Sequence, residues 1–301
     1  MASLENSKII SPVFRLASIG NHIRIAYRTA GNPGNPAILL LHGFPTSSNM
    51  FRNLIPLLAA KYYVVAPDLP GFGFTEVPDT YQFSFEKLTD TIEAFLRILD
   101  ISNYALYIFD YGSPVGFRLA LKNPSKIMGI IAQNGNAYEV GLESAFWDPI
   151  KEYWKHDQTA PEFVESLSAY LQDENSVISQ YTGGVVDKYS VDPASYTLDI
   201  ALLNRIGQLP IQIKLFHDYR NNVELYPEFQ KLLREANLPV LVVWGKNDTI
   251  FTIKGAEAYR ADAKLMKIVY YETGHFALET HVSEIAQEIS TYFYDRIINR
   301  T

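Results

Sequence analysis

Residues 105–120 read ALYIFDYGSPVGFRLA, and this stretch decides the fold class that the sequence predicts. It opens with a wholly apolar run, turns at Asp110-Tyr111-Gly112 and continues with apolar residues at helical spacing. Wholly apolar runs of this length are typical of parallel strands that are buried on both faces. The order strand, sharp turn, helix predicts that Asp110 lies at the carboxyl end of a strand, where α/β proteins place their catalytic groups.

Similar apolar runs recur along the chain at 37–42, 62–67, 129–134, 239–245 and 267–272. Segments with apolar residues at helical spacing lie between some of them. This alternation predicts an α/β fold with a mostly parallel, doubly wound sheet. We expect an antiparallel hairpin before it, because two strand-like segments flank the turn residues Gly20-Asn21.

The stretch from Gly135 to Leu238 has no clear apolar strand run; its pattern is mostly helical and rich in aromatic residues. Its length, roughly a hundred residues, exceeds what one crossover connection needs. The sequence therefore predicts a helical cap at 135–238, inserted into a core formed by 1–134 and 239–301. Ordinary crossover helices with a long loop are the alternative.

The composition excludes several classes of protein. The 301 residues contain no cysteine, which excludes disulfides and a thiolate nucleophile. A net charge of −7 without a cluster of Lys and Arg argues against a nucleic-acid partner. No run approaches the ~18 apolar residues of a membrane span, and the N-terminus does not resemble a secretory signal. We expect a cytoplasmic enzyme, monomer or homodimer, that acts on a small apolar molecule and water.

Asp110 is the predicted nucleophile. It stands at the turn between strand and helix, where a positive φ is expected, and Asp tolerates this conformation better than most residues. Gly112 and Gly116 would let the following helix pack closely. Two alternatives are that Asp110 only caps the helix, or that Ser113 is the nucleophile of an esterase. The position of Ser113 inside the predicted helix opposes the second.

Three further strand ends carry polar or turn-forming residues. Gly43-Phe44 follows the run at 37–42 and could direct a backbone N–H inward. Asp248 follows the run at 239–245, and His275 follows the run at 267–272 within Thr273-Gly274-His275. Each alone is a weak signal. The order nucleophile, acid, base along the chain is that of the α/β-hydrolases, and it predicts a catalytic triad.

The sequence resembles the epoxide hydrolase and haloalkane dehalogenase branch of the α/β-hydrolase superfamily. The resemblance rests on HGFPTSS at 42–48, DLPGFG at 68–73 and Asp110-Tyr111-Gly112, and it covers nearly the whole chain. Within that branch the chain looks most similar to fungal, yeast-type soluble epoxide hydrolases. The resemblance implies an α/β-hydrolase fold with an inserted cap.

A carboxylate nucleophile forms an alkyl ester with a carbon that bears a leaving group. His275 would activate the water that cleaves this ester, and Asp248 would stabilise the imidazolium. The backbone N–H groups of Phe44 and Tyr111 would hold the tetrahedral oxyanion. Neither a metal nor an organic cofactor is implied, since the sequence has no clustered ligand set and no phosphate-binding loop.

The leaving group distinguishes the members of the branch. Similar dehalogenases bind halide with a Trp directly after the nucleophile and often with an Asn in the first turn, where this chain has Tyr111 and Phe44. This favours epoxide hydrolysis over dehalogenation, although Trp147 or Trp154, the aromatic residues expected to line the substrate pocket, could replace the missing donors.

Epoxide hydrolases protonate the opening ring with tyrosines of the cap. The second of these typically precedes an Arg, and Tyr219-Arg220 matches that pattern. Tyr153 is the candidate for the first because of its place early in the cap, with Tyr170 and Tyr138 as rivals. A packing role in the cap is the alternative for Tyr219 and for Tyr153.

Two other functions stay open. Fluoroacetate dehalogenases resemble this layout, but they bind a carboxylate with arginines beside the nucleophile, where this chain has Tyr111. A ligand-binding protein built on a hydrolase fold could retain the same residues without turnover.

Overall fold

The computed structural model describes residues 10–298, so the outermost parts of both terminal segments, 1–9 and 299–301, lie outside it. The strands of the described part are β1 Val13–Ser18, β2 Arg24–Ala30, β3 Ala37–Leu41, β4 Tyr63–Pro67, β5 Tyr104–Phe109, β6 Ile127–Gln133, β7 Pro239–Gly245 and β8 Leu265–Tyr271. They form one sheet in the order β1-β2-β4-β3-β5-β6-β7-β8. β2 pairs antiparallel with β1 and β4, and the remaining pairs are parallel. The predicted α/β class with its mostly parallel sheet is confirmed.

Helices connect these strands. The α-helices are α1 Leu54–Leu58, α2 Phe85–Ile98, α3 Gly112–Lys122, α4 Trp147–Tyr153, α5 Pro161–Gln172, α6 Glu174–Thr182, α7 Pro193–Leu203, α8 Gln208–Asp218, α9 Arg220–Val223, α10 Tyr226–Glu235, α11 Ile253–Ala258, α12 Ala277–Glu288 and α13 Tyr294–Ile298, with a π-helical turn at Ile289–Phe293. Short 3₁₀ turns lie at Ser48–Phe51, Pro124–Lys126, Glu139–Leu142, Lys188–Ser190 and Tyr259–Ala261. Across residues 10–298, no helix has the length and apolar character needed to cross a membrane.

The segment between β6 and β7 contains the helices α4 to α10, and the structure assigns no strand to it. It therefore differs from the strand-helix alternation on either side. We propose that this segment is the cap, with the bounds 135–238 expected from the sequence.

The central strands of the sheet are buried on both faces, which agrees with their almost wholly apolar sequences. Along β5 the side chains of Leu106 and Ile108 pack with α2 and α3 on one face. Those of Tyr107 and Phe109 pack with α1 and α12 on the other. The alternation follows from the two-residue period of a strand. The two apolar layers hold the carboxyl ends of the parallel strands at one edge of the sheet.

The chain reverses its direction of progress across the sheet at β3. β3 pairs with β4 on one side and with β5 on the other, so the connections that leave β3 and β5 diverge. Such a switch point opens a crevice at the carboxyl ends of the two strands. The turn after β3 carries Phe44, and the turn after β5 carries Asp110. The topology therefore places these two residues on opposite sides of one crevice.

Helix α3 starts immediately after the turn that follows β5 and lies very close to the sheet. A Cβ atom built on Gly112 would lie 2.2 Å from the carbonyl oxygen of Leu41, and one built on Gly116 would lie 2.4 Å from Cγ2 of Ile108. The helix therefore approaches the strands more closely than a side chain at either position allows. This agrees with the close packing expected from the sequence.

We predict that Gly116→Val destabilises the protein by about 1 to 3 kcal/mol, because the added methyl groups overpack a filled core. Urea unfolding followed by circular dichroism measures the change as a lower midpoint. Gly34→Ala is the control, since the nearest atom to its added Cβ is 3.4 Å away. Equal midpoints for Gly116→Val and the wild type would contradict the prediction.

Candidate active site

The turn after β5 holds Asp110 in the left-handed backbone region, with φ of 45°. This conformation ends the strand and starts α3 within two residues, so it directs the side chain away from the sheet edge. Asp110 is buried, with 5% of its surface exposed. Ser113, the alternative nucleophile, lies inside α3, and its hydroxyl donates to the carbonyl of Asn136 at 3.1 Å.

Backbone donors hold the carboxylate of Asp110. The N–H of Phe44 donates to Oδ1 at 2.6 Å, and the N–H of Tyr111 also bonds to this carboxylate. A Cβ atom on Gly43 would lie 2.1 Å from Oδ1, so this approach requires glycine. The two N–H groups are those expected from the sequence to form an oxyanion hole.

The turns after β7 and β8 bring Asp248 and His275 close to Asp110. Nδ1 of His275 is 2.8 Å from Oδ2 of Asp248, and Nε2 is 3.9 Å from Oδ2 of Asp110. Nε2 is buried and has no hydrogen-bond partner within residues 10–298. We call these three residues the Asp–His–Asp cluster. An imidazole that is oriented by one carboxylate and faces another can take a proton from a water placed between them.

Asn134 belongs to the same network and was missed by the sequence analysis. It follows β6 with φ of 42°, and its Nδ2 donates to Oδ2 of Asp248 at 2.8 Å. Its Oδ1 accepts the N–H of Gly245 at 3.0 Å, which ties the ends of β6 and β7 together. The N–H of Ile250 donates to the other oxygen of Asp248 at 2.7 Å. Asp248 is therefore fixed by donors in addition to His275.

In the Asp–His–Asp cluster, burial and the neighbouring opposite charges shift the pKa values of Asp110 and His275 in opposite directions. Burial raises the pKa of Asp110, while the charge of His275 and the two backbone N–H groups lower it, and the result is a pKa of about 6. Burial lowers the pKa of His275, but the charge and hydrogen bond of Asp248 and the charge of Asp110 raise it above 6.5. At neutral pH the Asp110 carboxyl is therefore mostly ionised, as a nucleophile requires.

Tyr219 lies between α8 and α9 and is buried over the cluster. Its ring packs against those of Tyr111 and Trp147, with centroid distances of 5.8 and 4.9 Å. Burial is the largest cause that raises the pKa of Tyr219 well above 10, and the charge of Asp110 contributes. The phenol therefore keeps its proton and can donate it.

Tyr153 has a different environment. Its hydroxyl donates to the carbonyl of Gln158, and its ring stacks on Phe163 with a centroid distance of 5.5 Å. Asp157, and not Asp110, is the carboxylate that raises the pKa of Tyr153, after burial. The sequence signal for Tyr153, its place early in the cap, does not specify the direction of the side chain.

The two rivals of Tyr153 also differ from each other. Tyr170 on α5 accepts from Nε2 of Gln180 at 3.3 Å, and burial together with the charge of Asp110 raises its pKa to about 12. The hydroxyl of Tyr138 donates to Oδ2 of Asp262 at 2.8 Å. Of these two tyrosines, Tyr170 is the one whose pKa is raised by the charge of Asp110.

The indole N–H groups of the chain are all committed to backbone carbonyls. Trp147 donates to Ile250 at 2.8 Å, and Trp154 donates to Phe216 at 2.9 Å. The third tryptophan, Trp244, donates to Phe251 at 3.1 Å. These are the 3 tryptophans of the sequence. In this arrangement no indole N–H is free to bind a halide.

An apolar cavity of about 280 Å³ lies within the cap. Its walls are mainly aromatic and aliphatic, and they are formed by Ala145, Phe146, Pro149, Ile150, Tyr153, Phe163, Ser166, Leu167, Tyr170 and Phe216. The ring of Phe216 is 5.2 Å from that of Phe44, so one wall reaches the residues beside Asp110. Trp147 and Trp154, the expected pocket residues, are not in this lining; they pack against Tyr219.

The sequence model of the α/β-hydrolase fold matches residues 36–282. The chain belongs to the α/β-hydrolase fold family. The uncharacterized hydrolase YNR064C of Saccharomyces cerevisiae is 62% identical over 93% of this chain and 97% of its own length. A haloalkane dehalogenase of Mesorhizobium japonicum is 39% identical over 91% of this chain and 89% of its own length.

Solved structures with the same fold include the haloalkane dehalogenase DbeA from Bradyrhizobium elkani. Its TM-score is 0.77 at 19% identity, over 97% of this chain and 100% of that chain. This similarity concerns the fold alone. Together with the family match and the relatives, it identifies the chain as a hydrolase of the α/β-hydrolase fold.

We predict that Asp248→Asn lowers the pKa of His275, because the loss of the carboxylate leaves burial as the dominant influence. Histidine-selective NMR titration measures this pKa without any substrate. Asp262→Asn removes another buried carboxylate, one that bonds Tyr138, and it should leave the titration of His275 unchanged. A titration of His275 that is the same in Asp248→Asn and the wild type would refute the proposed coupling.

Proposed function

We propose that this hydrolase opens epoxides to vicinal diols through an alkyl ester on Asp110. The observation that carries the proposal is the kind of polar group in the cap that the charge of Asp110 influences. The charge of Asp110 raises the pKa of three phenols of the cap, Tyr219, Tyr170 and Tyr226, which therefore keep their protons. The indole N–H groups, in contrast, are bonded to backbone carbonyls. A departing alkoxide needs a proton, and a phenol can supply it.

The first step of the proposed reaction uses the free oxygen of Asp110. Oδ1 accepts the backbone N–H of Phe44 and Oδ2 faces His275, so Oδ2 is the oxygen that attacks a ring carbon. The carbon–oxygen bond of the ring breaks, and Tyr219 gives its proton to the alkoxide. Tyr170 would take the place of Tyr153 as a second hydrogen-bond donor to that oxygen. The product of this step is an ester that retains every atom of the epoxide.

The second step hydrolyses the ester. His275 takes a proton from water as the water oxygen attacks Cγ of Asp110, and the N–H groups of Phe44 and Tyr111 stabilise the oxyanion on Oδ1. When the intermediate collapses, the imidazolium returns its proton to the departing alkoxide and the diol leaves. The proton released when Asp110 ionises again restores the phenol of Tyr219.

The cavity in the cap supports a substrate class. Aromatic rings dominate its walls, and the hydroxyl of Tyr153 there is already bonded to a backbone carbonyl. Burial of an apolar group in such a site contributes about 0.8 kcal/mol per methylene. We therefore propose oxiranes that carry an aryl or alkyl substituent, for which styrene oxide is the first compound to test.

We predict that His275→Gln stops the reaction at the ester, because the variant cannot activate water. Intact-protein mass spectrometry after incubation with styrene oxide should show an increase equal to the full mass of the epoxide. Asp110→Asn in the same background is the control and should not gain mass. If wild-type protein forms no diol and His275→Gln gains no mass, epoxide hydrolysis is refuted.

A second candidate, haloalkane dehalogenation, is favoured by one observation. Tyr111 directly follows Asp110 in the sequence. Its hydroxyl is buried and has no hydrogen-bond partner within the described residues. It could donate to a halide in place of the indole that similar dehalogenases carry there. The name of the Mesorhizobium japonicum relative points in the same direction.

We predict that any bromide release from 1-bromobutane depends on Tyr111. Tyr111→Phe should lower that rate about tenfold, since one hydrogen bond to a charged group is lost. Diol formation from styrene oxide should change little in the same variant. Bromide release that is insensitive to Tyr111→Phe would remove this hydroxyl from the dehalogenase hypothesis.

A further inference from the structure

Tyr226, at the start of α10, is a buried tyrosine that has no role in the two steps of the proposed reaction. Its hydroxyl lies 3.2 Å from the hydroxyl of Tyr219 and 3.3 Å from Nδ2 of Asn136. Asn136 follows β6 and is fully buried. The three polar groups form a short row that leads from the core to the phenol opposite Asp110.

The amide of Asn136 has only one orientation that satisfies its neighbours. Its Oδ1 accepts the backbone N–H of Tyr138 at 3.3 Å, and its Nδ2 donates to the carbonyl of Tyr138 at 2.7 Å. A flipped amide would set oxygen against oxygen and N–H against N–H. The group that faces Tyr226 is therefore the NH₂ group, which can only donate.

This orientation limits the partners that are left for the hydrogen of Tyr226. Because Asn136 donates, the oxygen of Tyr226 is an acceptor in that contact, and its single hydrogen is available for another partner. Within the described residues, the acceptor that this hydrogen can reach is the oxygen of Tyr219, 3.2 Å away. If Tyr219 donated to Tyr226 instead, the hydrogen of Tyr226 would be buried without an acceptor; donation by Tyr226 avoids this cost and leaves the hydrogen of Tyr219 for the substrate side. Within residues 10–298, Tyr219 has no second protein acceptor.

We propose that Tyr226 is a positioning residue that turns the O–H of Tyr219 towards the leaving oxygen of the substrate. During ring opening the proton moves from Tyr219 to the alkoxide, and Tyr226 keeps its own proton. Its hydrogen bond to Tyr219 then strengthens, because the acceptor has become a phenolate. This inference rests on the proposed function, since it assigns a role in the ring-opening step.

The test is a single-turnover comparison of wild type and Tyr226→Phe with styrene oxide. The rings of Trp147 and Trp154 lie 4.9 and 6.1 Å from that of Tyr219, so tryptophan fluorescence can report formation and hydrolysis of the ester. We expect ester formation to slow roughly 10- to 100-fold, as for the loss of a hydrogen bond to a charged group. Ester hydrolysis, which depends on His275, should keep its rate.

Tyr81→Phe is the matched control. Its hydroxyl is also in a buried network, with Thr91 at 2.8 Å and the carbonyl of Lys87 at 3.1 Å, but it belongs to the segment before α2. Both steps should proceed at wild-type rates in this variant. Unchanged ester formation in Tyr226→Phe, or an equal loss in both steps, would overturn the proposal, because a general packing defect would not select one step.

A binding measurement separates this inference from the proposed function. Phenylacetamide carries a carbonyl that can accept from Tyr219, and propylbenzene has a similar shape without an acceptor. Tyr226→Phe should weaken phenylacetamide binding about 5- to 10-fold and leave propylbenzene binding unchanged. If the wild type opens no epoxide, the proposed function fails and this result alone decides the role of Tyr226. Equal affinities, or no phenylacetamide binding to the wild type, would overturn it.

Discussion

The two oxygens of Asp110 have different partners, and the rest of the candidate site is arranged around this difference. Oδ1 accepts the backbone N–H of Phe44 at 2.6 Å, while Oδ2 faces His275 at 3.9 Å. The left-handed backbone at Asp110 and the absence of a side chain at Gly43 make this division possible. In the proposed reaction, Oδ1 would become the carbonyl oxygen of the ester and Oδ2 would form the bond to the substrate.

Much of this arrangement could be predicted from the sequence, because buried parallel strands are local patterns and the residues that follow them meet at one edge. That rule selected Asp110, Asp248 and His275, which the structure brings together. The same rule could have selected Asn134, since it ends the apolar run at 129–134. It was missed because an amide at a strand end has no catalytic role by itself, and its effect depends on a partner on the next strand.

The direction of side chains in the cap could not be predicted in this way. Tyr153 and Tyr170 both lie on cap helices, and only the packing of those helices determines which hydroxyl faces the core. The cap also joins the core in one aromatic cluster, in which Phe216 contacts Phe44 and Tyr219 contacts Tyr111. The burial that this aromatic cluster creates raises the pKa of Tyr219 and Tyr170, so in the proposed reaction the cap would contribute to the chemistry as well as to the shape of the cavity.

The wide separation of the site residues along the chain has a consequence for folding. Phe44 and Asp110 are 66 positions apart, Asn134 and Asp248 are 114 apart, and Gln133 bonds the carbonyl of His275 across 142. Contacts of this kind form only after long loops have closed, which makes such topologies slow to fold. No contiguous fragment shorter than residues 44–275 contains the whole site. Competence for catalysis should therefore emerge late in biosynthesis, after β8 has joined the sheet.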